Sequence, residues 1–464
     1  MKNYIILFVG ICVFAVKSYA YQDPKNKSNK PNIIYILADD LGYGDLGCYG
    51  QSEVFTPNID KLASEGMKFS RHYAGATVCA PSRNSLITGQ HMGNTTIKSI
   101  EKPILAEDIT VAEMLKTVGY QTAVIGKWGL GTVGTTGYAN SQGFDYSFGY
   151  YDQIRAHNYY PDYLMENGER YPIGNKVIYV TDSSNYAVGI GSAAIEKNVY
   201  SNDLFTEKAL DFIGEIAGEP FFLYLAYTIP HANNESFLIN QHGMEVPNSG
   251  DYAEKDWPDA KKSGAAMISR LDSYVGQIMA KLKEKGLDDE TLVIFTSDNG
   301  PHQEGGWKLN FFDSNGDLRG MKRDLYEGGI RVPFIARWQG KIGAGSTTDQ
   351  PVAFWDFLPT ACELAGVTAP TSTDGISYLP TLMGKSNMQR QHDYLYWEFD
   401  TSIKRQAIMK GDWKLVRIES SNPSTDVIEL FDLSNDIGEN VNLASKYPEK
   451  VNGFMHILEK YRDQ

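Results

Sequence analysis

The chain has 464 residues, of which 42% are hydrophobic and 22% charged, as in ordinary soluble globular proteins. This length exceeds what one hydrophobic core usually holds, so we expect one large domain and a smaller one. The net charge of −14 argues against a general nucleic-acid-binding protein, which would be basic. An anionic ligand must therefore be bound by a local cationic pocket rather than by the overall field.

The first twenty residues have the pattern of a secretory signal peptide. Lys2 supplies a positive start, residues 5–16 form a short apolar run, and residues 18–20 fit the small-residue cleavage rule. We expect residues 1–20 to be removed and the mature protein to be periplasmic or secreted. The apolar run is too short to span a bilayer comfortably, and no later segment has a transmembrane pattern, so we do not expect an integral membrane protein.

Apolar runs that alternate with helical patterns predict an α/β fold. Four of these runs are predicted as buried strands, at residues 32–38, 122–126, 221–227 and 292–296. Helices are predicted from Thr56-Pro57 to Gly66, from the capping box that begins at Thr110 to Gly119, and around the apolar stripe at residues 267–282. The last helix and its flanking strands form a parallel crossover unit.

The rest of the chain divides into a loop-rich stretch and a small terminal unit. Residues 130–200 are rich in Gly, Tyr, Asn and Ser with weak periodicity, and we interpret them as loops that build a pocket. After residue 385 the pattern changes to short strands, at residues 394–399, 406–409, 413–417 and 427–432, and then to a helix after Pro448. We expect a main domain at residues 21–385 and an antiparallel subdomain at residues 386–464.

Removal of the signal peptide leaves three cysteines, Cys48, Cys79 and Cys362. An odd and small number of cysteines does not indicate a disulfide framework. Cys48 and Cys362 are most simply buried small apolar residues. Cys79 begins the segment Cys-Ala-Pro-Ser-Arg, a C-x-P-S-R motif. The ordinary interpretation is a free cysteine ahead of a helix, because Pro81 suits a first helical turn.

That helix start would also favour an anion. Its N-terminus offers backbone N–H groups and a positive dipole end. Arg83 lies four residues after Cys79 and comes round toward the cysteine side of the helix. Cys79 is therefore placed for chemistry, although the motif alone does not exclude a structural role.

Each of the four predicted strands is followed by polar residues: Asp39-Asp40, Lys127, His231 and Asp298-Asn299. If the strands are parallel, these residues converge on one edge of the sheet, where ligands of open α/β sheets bind. The two acidic pairs are hard oxygen ligands that suit calcium or magnesium rather than zinc. The alternative is that each pair only forms a turn at the end of its strand.

Lys127 and Lys322 would add point charges for binding an oxyanion. A solvated surface lysine is the usual alternative. Lys127, however, sits between Gly126 and Trp128, an unusual place for a surface lysine without a function.

These segments together resemble the type I sulfatases of the alkaline-phosphatase superfamily. The resemblance covers nearly the whole mature chain and rests on the segments ADDLGYGDLGCYG from Ala38, TPNIDKLASEG from Thr56, CAPSRNSLITGQ from Cys79, GKWGLG from Gly126, TSDNGPHQEGG from Thr296 and LRGMKRDLYEGGIRVP from Leu318. It implies a mixed, mainly parallel sheet sandwiched by helices, with a small C-terminal α+β subdomain of antiparallel sheet plus helix.

The resemblance also implies a mechanism. A formylglycine-generating enzyme would oxidise Cys79 to an aldehyde, whose hydrate attacks sulfur. One calcium ion would be held by Asp39, Asp40, Asp298 and Asn299 and would contact residue 79. Arg83 would steady the hydrate, and Lys127 and Lys322 would stabilise the developing charge. His231, with Lys322, would protonate the leaving alcohol.

One position departs from the family pattern. Many members have histidine two residues after the lysine, where this chain has Gly129. In the family that histidine helps the hydrate to release sulfate. We predict that His302, four residues after Asp298, takes over this role, because its near-neutral pKa suits proton removal. The alternative is that His302 is a loop residue or a sugar contact.

The predicted substrate is a sulfated sugar, desulfated from a chain end, with galactose or N-acetylgalactosamine sulfate as the first choice. Arg155, His157 and Asn158 are candidate sugar contacts, or parts of an ordinary solvated loop. Two other functions remain open. One is a phosphatase or phosphodiesterase of the same fold, which usually needs two zinc ions and more histidine ligands. The other is a glycan-binding protein on an inactive sulfatase fold.

Overall fold

The computed structural model describes residues 30–99, 102–180, 189–216, 218–401, 403–420 and 425–461. The predicted signal peptide lies outside these residues. No helix within them is long and apolar enough to span a membrane.

The described residues form eighteen strands and eleven α-helices. The strands are β1 (Asn32–Asp39), β2 (Met67–Phe69), β3 (His72–Tyr73), β4 (Gln121–Lys127), β5 (Tyr146–Tyr150), β6 (Tyr163–Glu166), β7 (Glu169–Pro172), β8 (Lys176–Tyr179), β9 (Ser192–Glu196), β10 (Phe221–Pro230), β11 (Thr291–Ser297), β12 (Phe334–Arg337), β13 (Ser346–Thr348), β14 (Val352–Ala353), β15 (Leu395–Asp400), β16 (Lys404–Lys410), β17 (Trp413–Ile418) and β18 (Val427–Asp432). The helices are α1 (Pro57–Glu65), α2 (Cys79–Thr88), α3 (Val111–Lys116), α4 (Ser201–Glu215), α5 (Asn234–Asn240), α6 (Asp259–Glu284), α7 (Leu309–Phe312), α8 (Glu327–Ile330), α9 (Phe357–Ala365), α10 (Leu379–Leu382) and α11 (Pro448–Leu458).

Ten strands form the central sheet, in the order β13-β2-β12-β11-β1-β10-β4-β5-β6-β7. The five central neighbours β11, β1, β10, β4 and β5 are all parallel. The pairs at either side are mainly antiparallel, through β11 with β12 and β5 with β6. The predicted mixed, mainly parallel sheet is confirmed.

Helices cover both faces of this sheet. The side chains of its buried strands alternate between the two faces, so each strand contributes to two separate cores. On one face, Ile34 and Ile36 of β1 pack with residues of α4 and α6. On the other face, Ile33 and Leu37 of the same strand pack with residues of α3 and α9. A strand buried on both faces reads as a continuous apolar run, which is why β1 could be located from the sequence.

The C-terminal unit is a four-stranded antiparallel sheet in the order β15-β16-β17-β18. One face packs through Trp397 against Tyr73 and Trp355 of the central domain. The other face packs through Leu415 against Leu458 of α11. The predicted antiparallel sheet and terminal helix are confirmed.

Three local predictions differ from the structure. Helix α3 ends at Lys116 rather than Gly119, and residues 117–119 continue as a turn. Helix α2 begins at Cys79 rather than near Pro81, so the cysteine belongs to the first turn. Residues 130–200 are loop-rich as predicted, but they also contain five short strands, β5 to β9, that the sequence analysis did not predict. These strands are short and partly exposed, so their apolar alternation is too weak to stand out in the sequence.

Candidate active site

Four parallel strands end at one point on the carboxyl edge of the sheet. Asp39 is the last residue of β1 and Lys127 the last of β4, and Asp298 follows β11 directly. His231 follows β10, whose last residue, Pro230, pairs with Asp39. Neighbouring parallel strands end on the same edge, which is the convergence that the sequence predicts.

Helix α2 brings Cys79 to the same point. Cys79 is the first helical residue, and all ten residues of α2 are buried. Ser82, one turn further on, donates its hydroxyl to the carbonyl of Asp298 at 2.5 Å. The start of the helix is therefore attached to the end of β11.

Arg83 connects three parts of the site. Its Nε and Nη2 donate to Oδ2 of Asp298 at 2.9 and 2.7 Å. Its Nη1 donates to the carbonyl oxygen of Lys127 at 2.6 Å, and Nη2 lies 3.6 Å from Oδ2 of Asp39. The side chain is fully buried, so Arg83 holds the ends of three strands in a fixed relation.

The carboxylates and their neighbours form a cluster suited to a cation. Atoms of Asp39, Asp40, Cys79 and His231 all lie within 4.8 Å of one another. Oδ1 of Asp39 and Oδ1 of Asn299 are buried without a hydrogen-bond partner. Buried polar atoms normally have partners, so these two oxygens, one on the residue before Asp40 and one on a residue hydrogen-bonded to it, are available to a cation.

Asp298 and Asn299 are placed differently from the aspartate pair. Oδ1 of Asp298 accepts from the backbone N–H of Asp40 at 3.1 Å. The Asn299 amide donates to Oδ1 of Asp40 at 2.7 Å, which leaves its carbonyl oxygen for a cation. All four predicted calcium ligands are thus in contact with one another or with a shared neighbour.

Two lysines neutralise the aspartates. Nζ of Lys127 donates to Oδ2 of Asp39 at 2.8 Å, and Nζ of Lys322 donates to Oδ2 of Asp40 at 2.7 Å. With Arg83 paired to Asp298, three cations face three carboxylates. A divalent cation added to this balanced set would leave an excess of positive charge, which attracts an anion.

The electrostatics of the carboxylates also favour a cation. Burial opposes ionisation of Asp39, but Lys127 and Arg83 outweigh it and hold its pKa below the ordinary value. Burial and the charge of Asp39 raise the pKa of Asp298 to about 7. A bound cation would remove this penalty, because it favours the ionised form of every carboxyl group near it.

His231 is fixed at both ring nitrogens. Nδ1 lies 2.7 Å from the carbonyl oxygen of Ala232, so Nδ1 carries the hydrogen. Nε2 then accepts from Nζ of Lys322 at 3.0 Å. Burial, reinforced by Lys322, lowers the pKa of His231 well below its usual value. In this arrangement the proton that the pair can deliver is on Lys322.

Cys79 lies against the two lysines. Burial raises the pKa of its thiol to about 11, although Lys127 and Lys322 act in the opposite direction. The unmodified side chain is therefore a neutral thiol near pH 7, and the thiolate is the nucleophilic form of cysteine.

A cavity of about 320 Å³ opens onto Cys79. The site residues that line it are Cys79, His231 and Lys322. Its other walls come from loops and from the C-terminal sheet, with Val78, Lys98, Ser99, Gln153, Ile154, His157, Asn234, Glu304, Arg323, Phe399, Asp400 and Thr401. The lining residues that lie outside the segments of the family resemblance have no recognisable local sequence pattern. Of these residues, only His157 was a candidate from the sequence.

The three predicted sugar contacts separate in the structure. His157 lines the cavity beside Cys79. Arg155 faces a different cavity of about 440 Å³, where it pairs with Asp162 at 3.0 Å and stacks over Tyr163. Asn158 is fully buried, and its amide donates to Ser192 at 2.9 Å. Of the three, His157 alone lies at the site.

Gln153 occupies the space beside Gly129. Its Nε2 donates to the carbonyl oxygen of Gly129 at 2.6 Å. A Cβ added at Gly129 would overlap this amide nitrogen, and the backbone there has φ +70°. Gly129, where this chain departs from the family pattern, thus packs against a buried glutamine. No feature of the sequence links these two residues.

His302 is buried beside His231, with a ring-centroid distance of 5.8 Å. Its Nε2 lies 3.0 Å from the carbonyl of Pro230, and its Nδ1 accepts from the backbone N–H of Glu304 at 3.0 Å. Both ring nitrogens therefore have backbone partners. To remove a proton as predicted, His302 would have to lose one of these two backbone contacts.

The chain is similar to known proteins over most of its length. The family model described as "Sulfatase" matches residues 31–367, and one described as "N-sulphoglucosamine sulphohydrolase, C-terminal" matches residues 319–463. An N-acetylgalactosamine-6-O-sulfatase of Bacteroides thetaiotaomicron is 32% identical, with 95% of each chain covered. Human arylsulfatase A is 32% identical over 89% of this chain and 83% of its own length.

A similar fold occurs in a solved structure from a study of glycosaminoglycan metabolism by Bacteroides thetaiotaomicron. The TM-score is 0.75 at 30% identity, and the superposition covers 94% of this chain and 100% of the other. The likeness therefore extends through both the central domain and the C-terminal sheet.

Proposed function

The chain belongs to the sulfatase family and is a sulfuric ester hydrolase, and from that premise we propose that it removes sulfate from the ends of sulfated glycans. The relatives named for N-acetylgalactosamine 6-sulfate support galactose or N-acetylgalactosamine sulfate as the substrate class. A cavity of about 320 Å³ is at the small end of ligand sites, which favours one terminal sugar over an internal segment of a chain.

The proposed enzyme depends on calcium and on formylglycine at position 79. The unpartnered oxygens of Asp39 and Asn299, together with Asp40 and Asp298, are a fitting donor set for calcium. The neutral, buried thiol of Cys79 supports the need for conversion. When present, the ion would bind sulfate oxygens and the aldehyde hydrate would supply the nucleophile.

The chain's own residues would do the rest. Lys127 and Lys322 lie beside Cys79 and would face the oxygens on which charge develops. Arg83, tied to Asp298 and to the Lys127 carbonyl, would hold the start of α2 in position. His231, joined to Lys322 by a hydrogen bond, would protonate the leaving alcohol together with that lysine.

The proposal places the mature enzyme in the periplasm or outside the cell, after removal of residues 1–20. It also requires a formylglycine-generating enzyme as a partner. Because Cys79 is buried at the start of α2, that enzyme would act before the chain folds.

A panel of defined sulfated monosaccharides tests the substrate class. The panel would contain galactose and N-acetylgalactosamine carrying sulfate at single positions, with glucose and glucosamine sulfates as comparison. We expect sulfate release from at least one galactose-type sugar. Activity confined to aryl or steroid sulfates would refute the sugar proposal.

Peptide mass spectrometry tests the nucleophile. Protein from a host with the maturation enzyme should carry an aldehyde oxygen in place of the Cys79 sulfur, and Cys79→Ala should be inactive. Full activity in protein that carries only the unmodified thiol would exclude formylglycine as the nucleophile.

A further inference from the structure

A second cavity lies at the carboxyl end of β5. Its volume is about 440 Å³, which is within the range of small-molecule sites. Tyr150, the last residue of β5, lines this cavity and pairs across the sheet with Lys127 of the reaction centre. Neighbouring strands are about 4.8 Å apart. The second cavity therefore lies at the same edge of the sheet as the active site.

One short segment separates the two cavities. Asp152 and Arg155 line the second cavity, whereas Gln153, Ile154 and His157 line the active-site cavity. Because consecutive Cα atoms are about 3.8 Å apart, the two cavities lie on either side of a single stretch of backbone. A glycan chain that is bound by its end in the active site can therefore reach the second cavity with its inner sugars.

The second cavity is lined by aromatic rings and by two guanidinium groups. Four of its lining residues are tyrosines, namely Tyr150, Tyr151, Tyr163 and Tyr179. The guanidinium carbons of Arg155 and Arg170 lie 4.1 and 4.4 Å from the centroid of the Tyr163 ring. Aromatic rings with a polar edge, combined with guanidinium donors, suit a sugar ring that carries an acidic group.

The two arginines differ in their partners. Arg155 is buried, its Nη1 donates to Asp162 at 3.0 Å, and its Nε lies 3.8 Å from a carboxylate oxygen of Asp152. Arg170 is exposed, and within the part of the chain that the structure describes its guanidinium contacts no carboxylate or hydrogen-bond acceptor. Arg155 is therefore held by the protein, whereas the N–H donors of Arg170 are available to a ligand.

The β6–β7 hairpin positions Arg170 beside Tyr163. Met165 pairs with Arg170 and Tyr163 pairs with Pro172, so Tyr163 and Arg170 are diagonal neighbours on one face of the hairpin. The contact with the ring restrains the guanidinium, whose planar fork matches two oxygens of a carboxylate or a sulfate. The hairpin thus presents a restrained anion-binding group to the cavity.

We propose that this cavity is a second sugar-binding site, in which Arg170 binds the carboxylate or sulfate of an acidic sugar further along the glycan chain. The inference rests on the proposed function, in which the terminal sugar occupies the active site. It predicts that the enzyme prefers glycans whose inner sugars are acidic. The preference should lie in binding rather than in the chemical step, because Arg170 does not line the cavity that opens onto Cys79.

Tetrasaccharides test this preference. Each carries one sulfate on a terminal galactose-type sugar, and its inner sugars are neutral, carboxylated or sulfated. We expect Arg170→Gln to raise KM for the acidic tetrasaccharides by about tenfold with kcat unchanged, and to leave KM for the neutral one within about twofold. The acidic series that loses more identifies the bound anion as carboxylate or as sulfate. An equal rise in KM for neutral and acidic tetrasaccharides would overturn the proposal.

Two further variants control for charge and for position. Arg170→Lys keeps the positive charge but loses the planar fork, so it should retain part of the preference for acidic sugars. Arg390→Gln changes an exposed arginine outside both cavities and should leave KM for every tetrasaccharide unaffected. A loss of the preference in Arg390→Gln as large as that in Arg170→Gln would contradict a local site.

Direct binding separates the second site from the proposed substrate class. Calorimetry with the full-length protein measures the Kd of the carboxylated tetrasaccharide without its terminal sulfate, which requires no turnover. We expect Arg170→Gln to weaken this Kd by about tenfold. Weakened binding in this variant, together with failure of the wild-type enzyme on every sugar sulfate, would refute the substrate class and retain the site. No binding to the wild-type protein, or an equal Kd in the two proteins, would overturn the second site.

Discussion

Gly129 and Gln153 fit together as a pair. The Gln153 amide donates to the carbonyl oxygen of Gly129 and fills the volume that a side chain at position 129 would need. Gly129 adopts φ +70°, which favours glycine. Gln153 also lines the cavity beside Cys79, so this pair shapes the wall next to the nucleophile.

A double-variant cycle tests this pairing. Gly129→Ala should destabilise the protein by more than about 1 kcal/mol, through backbone strain and overlap with Gln153. The same change made with Gln153→Ala should cost less, because the overlap is gone while the strain remains. Urea unfolding measures all four proteins, with Gln277→Ala on the exposed face of α6 as the control. Strictly additive effects would contradict the pairing.

Calcium should bind at the aspartate cluster and stabilise the fold. We expect chelation to abolish sulfate release and added calcium to restore it. At a calcium concentration of about 100 times its Kd, stability should rise by about 2.7 kcal/mol, measured as a concentration-dependent Tm.

Asn299→Ala removes one unpartnered oxygen and should weaken calcium binding at least about tenfold, the scale on which ligand number tunes affinity. Asn310→Ala, exposed on α7, is the matched control. Activity that survives exhaustive chelation, with no metal found by elemental analysis, would count against the site.

His302→Ala distinguishes two roles for this buried histidine. Removal of a proton acceptor needed for sulfate release would give a rapid first release of alcohol followed by slow turnover. We expect no such burst, because both ring nitrogens bind backbone groups and burial lowers the pKa of His302. Instead, loss of the Pro230 contact should disturb His231 and slow both phases alike. Stopped-flow detection of the alcohol decides between the two.

Lys414 should be essential for attachment of the C-terminal sheet. Its fully buried ammonium lies 2.9 Å from carboxylate oxygens of both Glu327 and Glu439. Lys414→Met would leave two buried carboxyl groups without their shared cation, at a cost of about 3–5 kcal/mol. Lys410→Met, exposed at the end of β16, should be near neutral.

The loss in Lys414→Met should also grow with pH. Burial raises the pKa of Glu439 to about 7, so the folded protein binds a proton that the unfolded chain, near 4.5, has lost. The stability contributed by this protonation is complete below about 4.5 and disappears as pH rises through about 7. Without Lys414 the folded pKa rises further, so unfolding at pH 8 should show a larger deficit than at pH 6. An equal deficit at both values would contradict this account.

The sequence by itself determined the family, the central strands and the residues that end these strands at the reaction centre. Strands β1, β4, β10 and β11 are apolar on both faces, so they stand out as continuous runs. Asp39, Lys127 and Asp298 occupy the ends of such runs, and parallel pairing brings strand ends together. Local sequence is enough for these residues because their positions follow from strand direction alone.

Only the tertiary structure decided the walls of the cavity. Gln153 and His157 come from a segment whose local pattern is ordinary, and their positions depend on contacts across 24 to 78 residues of sequence. The same holds for Arg155 and Asn158, which lie beside His157 in the chain but point to other partners. Loop side chains are directed by packing against distant elements, and that information exists only once the chain has folded.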